Sequence, residues 1–250
     1  MKKNQTSKSN GRENFLCPFT DIVITQNSNV GTHKGTMAYD IRGKESGVKY
    51  PYYAPCTCKL IWFDKSNGQG LWQSTQKVSF SNKRVDFATF MTAHDESFDA
   101  KIGQIVPQGH QLGNMGNKAG GGASSTGVHC HIEIAQAKYT IENWHKNKYG
   151  IWCFPKEYSM EQSCFMNDTK IINGLNKKWI YLPDKKVSYY NKYTGKSTSI
   201  VDALKSLKVD SSFSHRQKIA KANGIKNYIG TPKQNLTMLD KLKKGTLIVA

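Results

Sequence analysis

The segment Gly-Val-His-Cys-His-Ile-Glu-Ile, residues 127–134, constrains the fold of this chain more than any other feature. Apolar and polar residues alternate along it, and a period of two predicts a half-buried β-strand. His129, His131 and Glu133 then share one side, with the two imidazoles roughly 7 Å apart along the strand. One imidazole could bind a metal while the other acts beside it, although such histidines are often only polar-face residues. The opposite, apolar side would hold Val128, Cys130, Ile132 and Ile134.

Two further histidines lie in similarly organised surroundings. His33 falls in a polar turn that leads into an apolar stretch ending in Asp40. His94 ends the run 85–94, which is typical of a strand that carries the imidazole at its tip. Hydrolytic zinc needs about three protein ligands from His, Asp, Glu or Cys, and an open position for water. His33, Asp40 and His131 are a set of the correct types, which leaves two histidines for acid–base chemistry.

The order of these residues is similar to that of the lysostaphin-type (LytM-like) zinc metallopeptidases. The shared features are a His followed by an Asp, an Ala-His pair at a strand end, and Gly-x-His-x-His with a following acidic residue. Residues 103–116 also match the stretch that these enzymes carry before the His-x-His, and the resemblance covers roughly residues 18–155. The resemblance implies one zinc ion per chain, with the ligands His33, Asp40 and His131. It also implies the catalytic pair His94 and His129.

The spacing of the first two ligands departs from the family pattern. The family usually places three residues between the histidine and the aspartate, whereas six lie between His33 and Asp40. Met37 stands where the usual spacing would place the carboxylate, and the nearest other carboxylates are Asp21 and Glu45. A longer loop is compatible with a tetrahedral site. The alternative is that Asp40 is a surface carboxylate at the end of a hairpin.

Short β-like runs separated by turns dominate the chain from residue 19 onward. Together with the resemblance, they predict a mainly β fold, in which an antiparallel β-sheet LytM-like peptidase domain precedes a small helical module. The stretch 119–126 predicts a loop that is a flexible wall of the substrate cleft, or a plain loop. The expected organisation is a disordered N-terminus over 1–17, the peptidase domain over 18–155, an extension or linker over 156–183 and a cell-wall-binding module over 184–250.

Helical patterning in the last part of the chain predicts a compact module, LysM-like or built of three helices. Thr231-Pro232 is a helix start signal, because Thr caps the helix and Pro suits its first position. Residues 184–250 hold 14 Lys and Arg against 4 Asp and Glu. Tyrosines here could stack on sugar rings of the wall or pack in a small core. These candidates are Tyr189, Tyr190, Tyr193 and Tyr228, of which Tyr228 is the one we assign to wall binding.

The formal net charge of +18 implies a polyanionic partner. Nucleic acid is the default partner for such a charge, and a Gram-positive wall rich in teichoic-acid phosphates fits it equally well. No recognisable nucleic-acid module is present, so we expect peptidoglycan, with teichoic acid as a further candidate, and no nucleic acid or membrane. The first ten residues lack the apolar region of a signal peptide, and no run of about eighteen apolar residues occurs. We therefore expect a monomer made in the host cytoplasm that reaches the wall after release, as a phage endolysin does.

The sequence thus predicts a zinc-dependent endopeptidase that hydrolyses stem or cross-bridge peptides of peptidoglycan and lyses a Gram-positive host. In this hypothesis His129 helps to deprotonate the attacking water, while His94 stabilises the oxyanion or protonates the leaving amine, with the division between them open. Two alternatives belong to other classes. One is a non-catalytic LytM-like protein that binds the wall or activates another hydrolase, and the other is a nucleic-acid-binding protein, which the charge alone suggests.

Overall fold

The protein, seen in a computed structural model, is described here for residues 1–120, 125–166, 168–182 and 188–250. The chain divides into two compact units, Met1–Leu182 and Pro183–Ala250. Part of the predicted loop 119–126, and the beginning of the predicted module 184–250, lie outside the described residues. No helix in the described ranges has both the length and the apolar character needed to cross a membrane.

Most elements of the first unit are strands, and the helices of the chain concentrate in the second. The strands are β1 (Lys8–Ser9), β2 (Arg12–Glu13), β3 (Asp21–Gln26), β4 (Tyr39–Arg42), β5 (Pro51–Tyr53), β6 (Cys58–Asp64), β7 (Gln69–Ser74), β8 (Val78–Ser79), β9 (Val85–Asp86), β10 (Thr89–Ala93), β11 (Ser97–Phe98), β12 (Ile105–Val106), β13 (Gln111–Asn114), β14 (Cys130–Ala135), β15 (His145–Lys146), β16 (Trp152–Cys153) and β17 (Lys170–Asn173). The α-helices are α1 (Met160–Ser163), α2 (Ile200–Ser206), α3 (Phe213–Ala222) and α4 (Pro232–Lys244), and short 3₁₀ helices span Gly31–His33 and Ile141–Asn143.

An eight-stranded sheet forms the centre of the first unit, in the order β12-β6-β7-β10-β14-β4-β3-β17. Every pairing in it is antiparallel except that of β17 with β3. The predicted mainly β, antiparallel fold is therefore confirmed. The run 85–94 is not one continuous strand, however, because β9 pairs with β8 and only β10 joins the main sheet.

The alternation in β14 places its apolar residues on the core side as the sequence predicts, but the strand is not half-buried, because Glu133 on the polar side is buried as well. Cys130, Ile132 and Ile134 are fully buried in the main core beside Trp72 and Phe90. Burying such side chains contributes on the order of 2 kcal/mol each, which holds this face of the strand to the core. The other face is left to the polar residues, and all six cysteines of the chain are buried and unbridged.

The ends of the first unit differ from the prediction. Residues 1–17 are not free: the Met1 ammonium group donates hydrogen bonds to Phe19 O and, at 2.7 Å, to Thr169 Oγ1. The physical reason is the apolar run Phe15-Leu16-Cys17, whose side chains are all buried. The predicted linker 156–183 is likewise part of this unit through residue 182, because β17 extends the main sheet.

The second unit is built around three helices, α2, α3 and α4. Its core consists mainly of apolar side chains from their inner faces, including Leu204, Ile219, Met238 and Leu242. An isolated antiparallel bridge joins Tyr189 to Ile248 in the same unit. Helix α4 begins as predicted: Thr231 Oγ1 accepts a hydrogen bond from Gln234 N, and the Gln234 side chain accepts one from Thr231 N. It ends at Gly245, which adopts the left-handed conformation of a helix C-cap.

Loss of the α4 cap should destabilise the second unit. Thr231→Ala removes the acceptor for Gln234 N, and we expect it to lower the free energy of unfolding of this unit by about 1 kcal/mol. Thr237→Ala is the matched control, since it lies inside the same helix, where alanine is the better helix former. Urea unfolding of the full chain followed by circular dichroism at 222 nm measures both. Equal stability of the two variants would contradict the capping role.

Candidate metal centre and active site

Strand register brings the predicted ligands together. His131 of β14 stands opposite Asp40 of β4 on one side and Ala93 of β10 on the other. His33 ends the 3₁₀ turn before β4. Asp40 Oδ1 lies 3.1 Å from His131 Nδ1 and 3.3 Å from His33 Nε2. One carboxylate oxygen therefore joins two imidazole nitrogens that come from positions 98 apart in the sequence.

Hydrogen bonds on the far side of each imidazole leave a lone pair for a metal. His33 Nδ1 lies 3.2 Å from Asn27 O, which can only accept a hydrogen bond, so the proton of a neutral His33 ring is on Nδ1 and its lone pair is on Nε2. His131 Nε2 lies 3.0 Å from Glu133 Oε1 and Nδ1 lies 3.1 Å from Asp40 Oδ1, so a metal that displaced the Nδ1 proton would leave the Nε2 hydrogen bond in place. A ligand histidine commonly donates its second N–H to a carboxylate or carbonyl in this way.

The donor set fits zinc. The ligand atoms of His33, Asp40 and His131 all lie within 4.8 Å of one another. Tetrahedral zinc with bonds of about 2.0–2.1 Å places neighbouring ligand atoms roughly 3.3 Å apart, close to the 3.1 and 3.3 Å that separate Asp40 Oδ1 from the two imidazole nitrogens. Burial alone would raise the pKa of Asp40, but hydrogen bonds from His131 and His33 outweigh it and hold that pKa well below its usual range. The carboxylate is therefore charged at neutral pH and can bind a cation.

The same hydrogen bond shifts the pKa of His131 in the opposite direction. Burial alone would lower its pKa, but hydrogen bonds to Asp40 and Glu133 outweigh burial and raise the pKa to about 10. Without a cation, His131 therefore binds a proton between two carboxylates. The site has a strong preference for positive charge at this position.

The second pair of histidines borders the ligands. The rings of His94 and His129 lie 4.7 Å apart, and His129 Nε2 is 3.6 Å from Asp40 Oδ1. The Nδ1–H group of each ring donates a hydrogen bond of 2.7 Å to a backbone carbonyl oxygen: His94 to Lys118 O and His129 to Gly127 O. Both Nε2 atoms consequently present lone pairs. Burial, with a smaller effect of the neighbouring histidines, lowers the pKa of His94 to about 4.

His94 is held in an unusual backbone conformation. Its φ of +69° is in the left-handed region, which is uncommon for a residue with a side chain. His94 N donates to Asn67 O, and Asp95 N donates to Gly68 O, each at 3.0 Å. Gly68 permits this approach, because a Cβ there would lie 2.2 Å from Asp95 O. The turn before β7 thus holds the imidazole beside the ligands.

The residue after His94, Asp95, has a buried carboxyl group that helps to hold this turn in place. Asp95 Oδ2 accepts hydrogen bonds from Tyr52 Oη at 2.6 Å and from Thr92 Oγ1 at 3.1 Å. Burial raises the pKa of Asp95 well above its ordinary value. Tyr52 lies on β5, in a different sheet from β10, so this group ties two sheets together directly behind His94.

Glu157 braces the long loop between the first two ligands. Its carboxylate accepts hydrogen bonds from Met37 N at 2.7 Å and from Phe154 N at 3.0 Å. Met37 is the residue that occupies the usual aspartate position, and its backbone rather than its side chain takes part in the structure. Burial, with the neighbouring Glu133 carboxylate, raises the pKa of Glu157 to about 8.

A cleft opens over this cluster. His33, Asp40, His94 and His131 line it, and so does the aromatic pair Trp144 and Trp152 from the following hairpin. Trp144 Nε1 donates to Glu133 Oε2 at 3.0 Å. Since Glu133 also accepts from His131, the hairpin is connected to a candidate ligand.

All five predicted site residues of the first unit thus lie in one place, and their roles remain predictions. Tyr228 does not offer an aromatic face for stacking on wall sugars. It is only 7% exposed, its ring packs on Phe213, and its hydroxyl bonds with Arg216 and Asn235. The reason is that the small second unit needs this ring in its core.

Several residues at the site have no local sequence pattern that indicates their contacts. Glu157 lies 120 positions from Met37, and nothing in its local sequence indicates this contact. The pairing of Asp95 with Tyr52 is equally non-local. Trp144 and Trp152 could have been found, because two tryptophans that flank a lysine-rich turn are typical of an exposed hairpin.

Known proteins that are similar in sequence to this chain include three phage proteins, while no family model matches. Morphogenesis protein 1 of Bacillus phage B103 is 30% identical over 186 residues, which cover 71% of this chain and 47% of that protein. The L-alanyl-D-glutamate peptidase of Listeria phage A118 is 53% identical over 49 residues, covering 20% and 17%. The endolysin of Listeria phage A511 is 52% identical over 46 residues, covering 18% and 14%. The chain spans less than half the length of each of these relatives.

Among solved structures, the catalytic domain of lysostaphin from Staphylococcus simulans is 16% identical. The alignment covers 51% of this chain and 82% of that domain, with a TM-score of 0.34, which does not by itself establish a shared fold. The predicted resemblance to phage peptidases and endolysins is confirmed by the names of the relatives. A match of 49 residues cannot include both His33 and His131, so the similarity to this peptidase does not extend over the whole candidate site.

The carboxyl group of Glu157 should make stability depend on pH. Its folded pKa of about 8 is above its ordinary value of 4.5, so its stabilising contribution is fully present below pH 4.5 and is lost as pH rises through 8. Glu157→Gln is neutral throughout, so we expect its stability relative to the natural protein to increase from pH 5 to pH 9. Urea unfolding of metal-free protein measures this difference. Glu142→Gln, at an exposed position, is the control, and parallel pH profiles for Glu157→Gln and the natural protein would contradict the assignment.

Proposed function

We propose that this chain is a zinc-dependent endopeptidase of the lysostaphin type that hydrolyses peptide bonds in peptidoglycan. The observation that carries the proposal is the cluster of His33, Asp40 and His131, with the imidazoles of His94 and His129 beside it. Metal-assisted amide hydrolysis needs groups of these kinds: two histidine ligands, a charged carboxylate ligand and neighbouring histidines that can accept or donate a proton.

Zinc bound by His33, Asp40 and His131 would supply a Lewis acid that polarises the substrate carbonyl and lowers the pKa of water toward 7. His129 Nε2 and His94 Nε2 are both free to accept a proton, because backbone carbonyls hold the protons on Nδ1. One accepts the proton of the attacking water, and the leaving amine is protonated from the same pair. The fixed Nδ1 contacts keep both rings oriented through this transfer.

The proposed substrate is a stem or cross-bridge peptide of a Gram-positive wall. Support comes from the peptidase and endolysin names of two relatives. The net charge of +18 suits a wall with anionic polymers such as teichoic acid. We further propose that residues 184–250 hold the enzyme on this wall, since they carry a net charge of +10 on a small separate unit.

The proposed biological setting is an endolysin that is made in the host cytoplasm and acts on the wall after release. A second candidate setting is phage morphogenesis, because the longest alignment is with Morphogenesis protein 1 of Bacillus phage B103. Mass spectrometry of purified particles separates the two. An endolysin is found in the lysate and absent from particles, whereas a morphogenesis component copurifies with them.

Metal analysis of the purified chain tests the proposal against the other classes. About one zinc per chain counts strongly against a nucleic-acid-binding protein and against a scaffold without metal ligands. Absence of zinc binding after loading and dialysis would remove the peptidase proposal.

The two histidines of the His-Cys-His segment should separate metal binding from chemistry. His131→Ala should lose both zinc and wall lysis, because it removes a ligand. His129→Ala should keep zinc and lose lysis, because Nε2 of this residue acts on the proton and not on the metal. Zinc content is measured by atomic absorption and lysis by the turbidity of a wall suspension. Normal lysis by His129→Ala would refute the assignment.

Removal of the second unit should weaken wall binding and leave peptide-bond hydrolysis nearly unchanged. A chain that ends at Leu182 keeps the main sheet and every predicted site residue of the first unit. We expect weaker sedimentation with Gram-positive walls and nearly unchanged cleavage of a soluble peptidoglycan fragment. Binding by the full chain should also weaken as salt shortens the Debye length from ~8 Å at 0.15 M. If the shortened chain sediments with walls as fully as the natural chain, the first unit and not residues 184–250 binds the wall.

A further inference from the structure

The hairpin formed by β15 and β16 places an exposed indole at the candidate active site. Lys146 pairs with Trp152 across this hairpin, and Trp152 lines the same cleft as His33 and His131. Trp152 is 45% exposed although it is among the largest apolar side chains of the chain. Exposure of an indole inside a cleft leaves apolar surface that a ligand could cover.

The indole is held in place. Trp152 stacks on Trp144, with ring centroids 5.1 Å apart and planes inclined by 23°. Trp144 in turn donates its indole N–H to Glu133 Oε2, and Glu133 accepts a hydrogen bond from His131. Because Trp152 is connected through these contacts to a candidate metal ligand, its position relative to the site is fixed before a substrate arrives.

Most of the other residues that line the cleft are polar by type. Asn67 and Gln69 line it as largely buried residues whose side-chain amides are joined by a hydrogen bond of 3.2 Å, and Thr32 and Thr36 line it as well. The aliphatic lining residues are Ala93 and Ile151. An aromatic platform surrounded by amides and hydroxyls matches a sugar ring, which has one apolar C–H face and a rim of hydroxyl and acetamido groups. An aliphatic side chain would instead require an apolar pocket.

We propose that Trp152, with Asn67 and Gln69 in the same cleft, forms a saccharide subsite that binds a pyranose ring of the glycan strand beside the peptide to be cut. The proposal deepens the proposed function and rests on it, since it places the sugar-bearing end of the stem peptide at this cleft. The enzyme then recognises the junction between glycan and peptide and not the peptide alone.

Two ligands that differ only in the sugar test the subsite. One is a free stem peptide, and the other is the same peptide joined to its N-acetylglucosaminyl–N-acetylmuramic acid disaccharide. The dissociation constant of each is measured by calorimetry with the full chain carrying His129→Ala, which should bind without cutting. Adding Trp152→Ala should weaken binding of the glycopeptide about fivefold, or ~1 kcal/mol, and leave binding of the free peptide unchanged. Trp152→Phe should retain most of the affinity, because it keeps an aromatic face.

Tyr149→Ala is the matched control, since Tyr149 is equally exposed on the same hairpin but does not line the cleft. It should leave both dissociation constants unchanged. Residues 188–250 are identical in all variants, so binding there is common to every comparison. An equal loss for both ligands, or no loss for either, would overturn the saccharide subsite. If the natural protein binds the glycopeptide in a Trp152-dependent way but cleaves neither ligand, the subsite stands and the proposed peptidase activity fails.

Discussion

Antiparallel pairing of three neighbouring strands is the constraint on which the site depends. In this register Asp40, His131 and Ala93 lie in one row across β4, β14 and β10, and His94 follows directly at the strand end. A slip of one residue would turn His131 into the core and Cys130 into the cleft, since side chains alternate between faces. The buried Cys130, Ile132 and Ile134 oppose such a slip. Hydrophobic burial on one face of β14 therefore determines how the candidate metal ligands are arranged on the other.

The parts of the site that the sequence predicts are those with a local signal. His129 and His131 are found because a strand period of two separates a core face from a polar face within eight residues. His94 is found because a strand ends beside it, and Asp40 because few carboxylates lie near His33. Their common location follows from strand order, which only the family resemblance implies at the level of sequence.

What the sequence did not predict depends on contacts between distant segments. Glu157 and Met37 are joined by one hydrogen bond that no periodicity or spacing indicates. Residues 1–17 have a polar composition that predicts disorder, yet three consecutive apolar side chains at their end are enough to pack the segment on the sheet. Tyr228 is a residue type that is common at binding surfaces, but it is buried in the core of the second unit, since a unit of this size has few other large side chains to fill its core.

The position of Glu157 has a consequence for how the first unit of the chain can be exchanged between proteins. A fragment bounded by the resemblance to known peptidases would end near residue 155, two positions before the side chain that holds Met37. It would also omit β17, the outer strand that pairs with β3. Chimaeric lysins assembled at that boundary would carry every candidate ligand and yet lack the support for the loop that joins two of them. The transferable unit is the whole of residues 1–182, because its closing segment contributes to the geometry of the site.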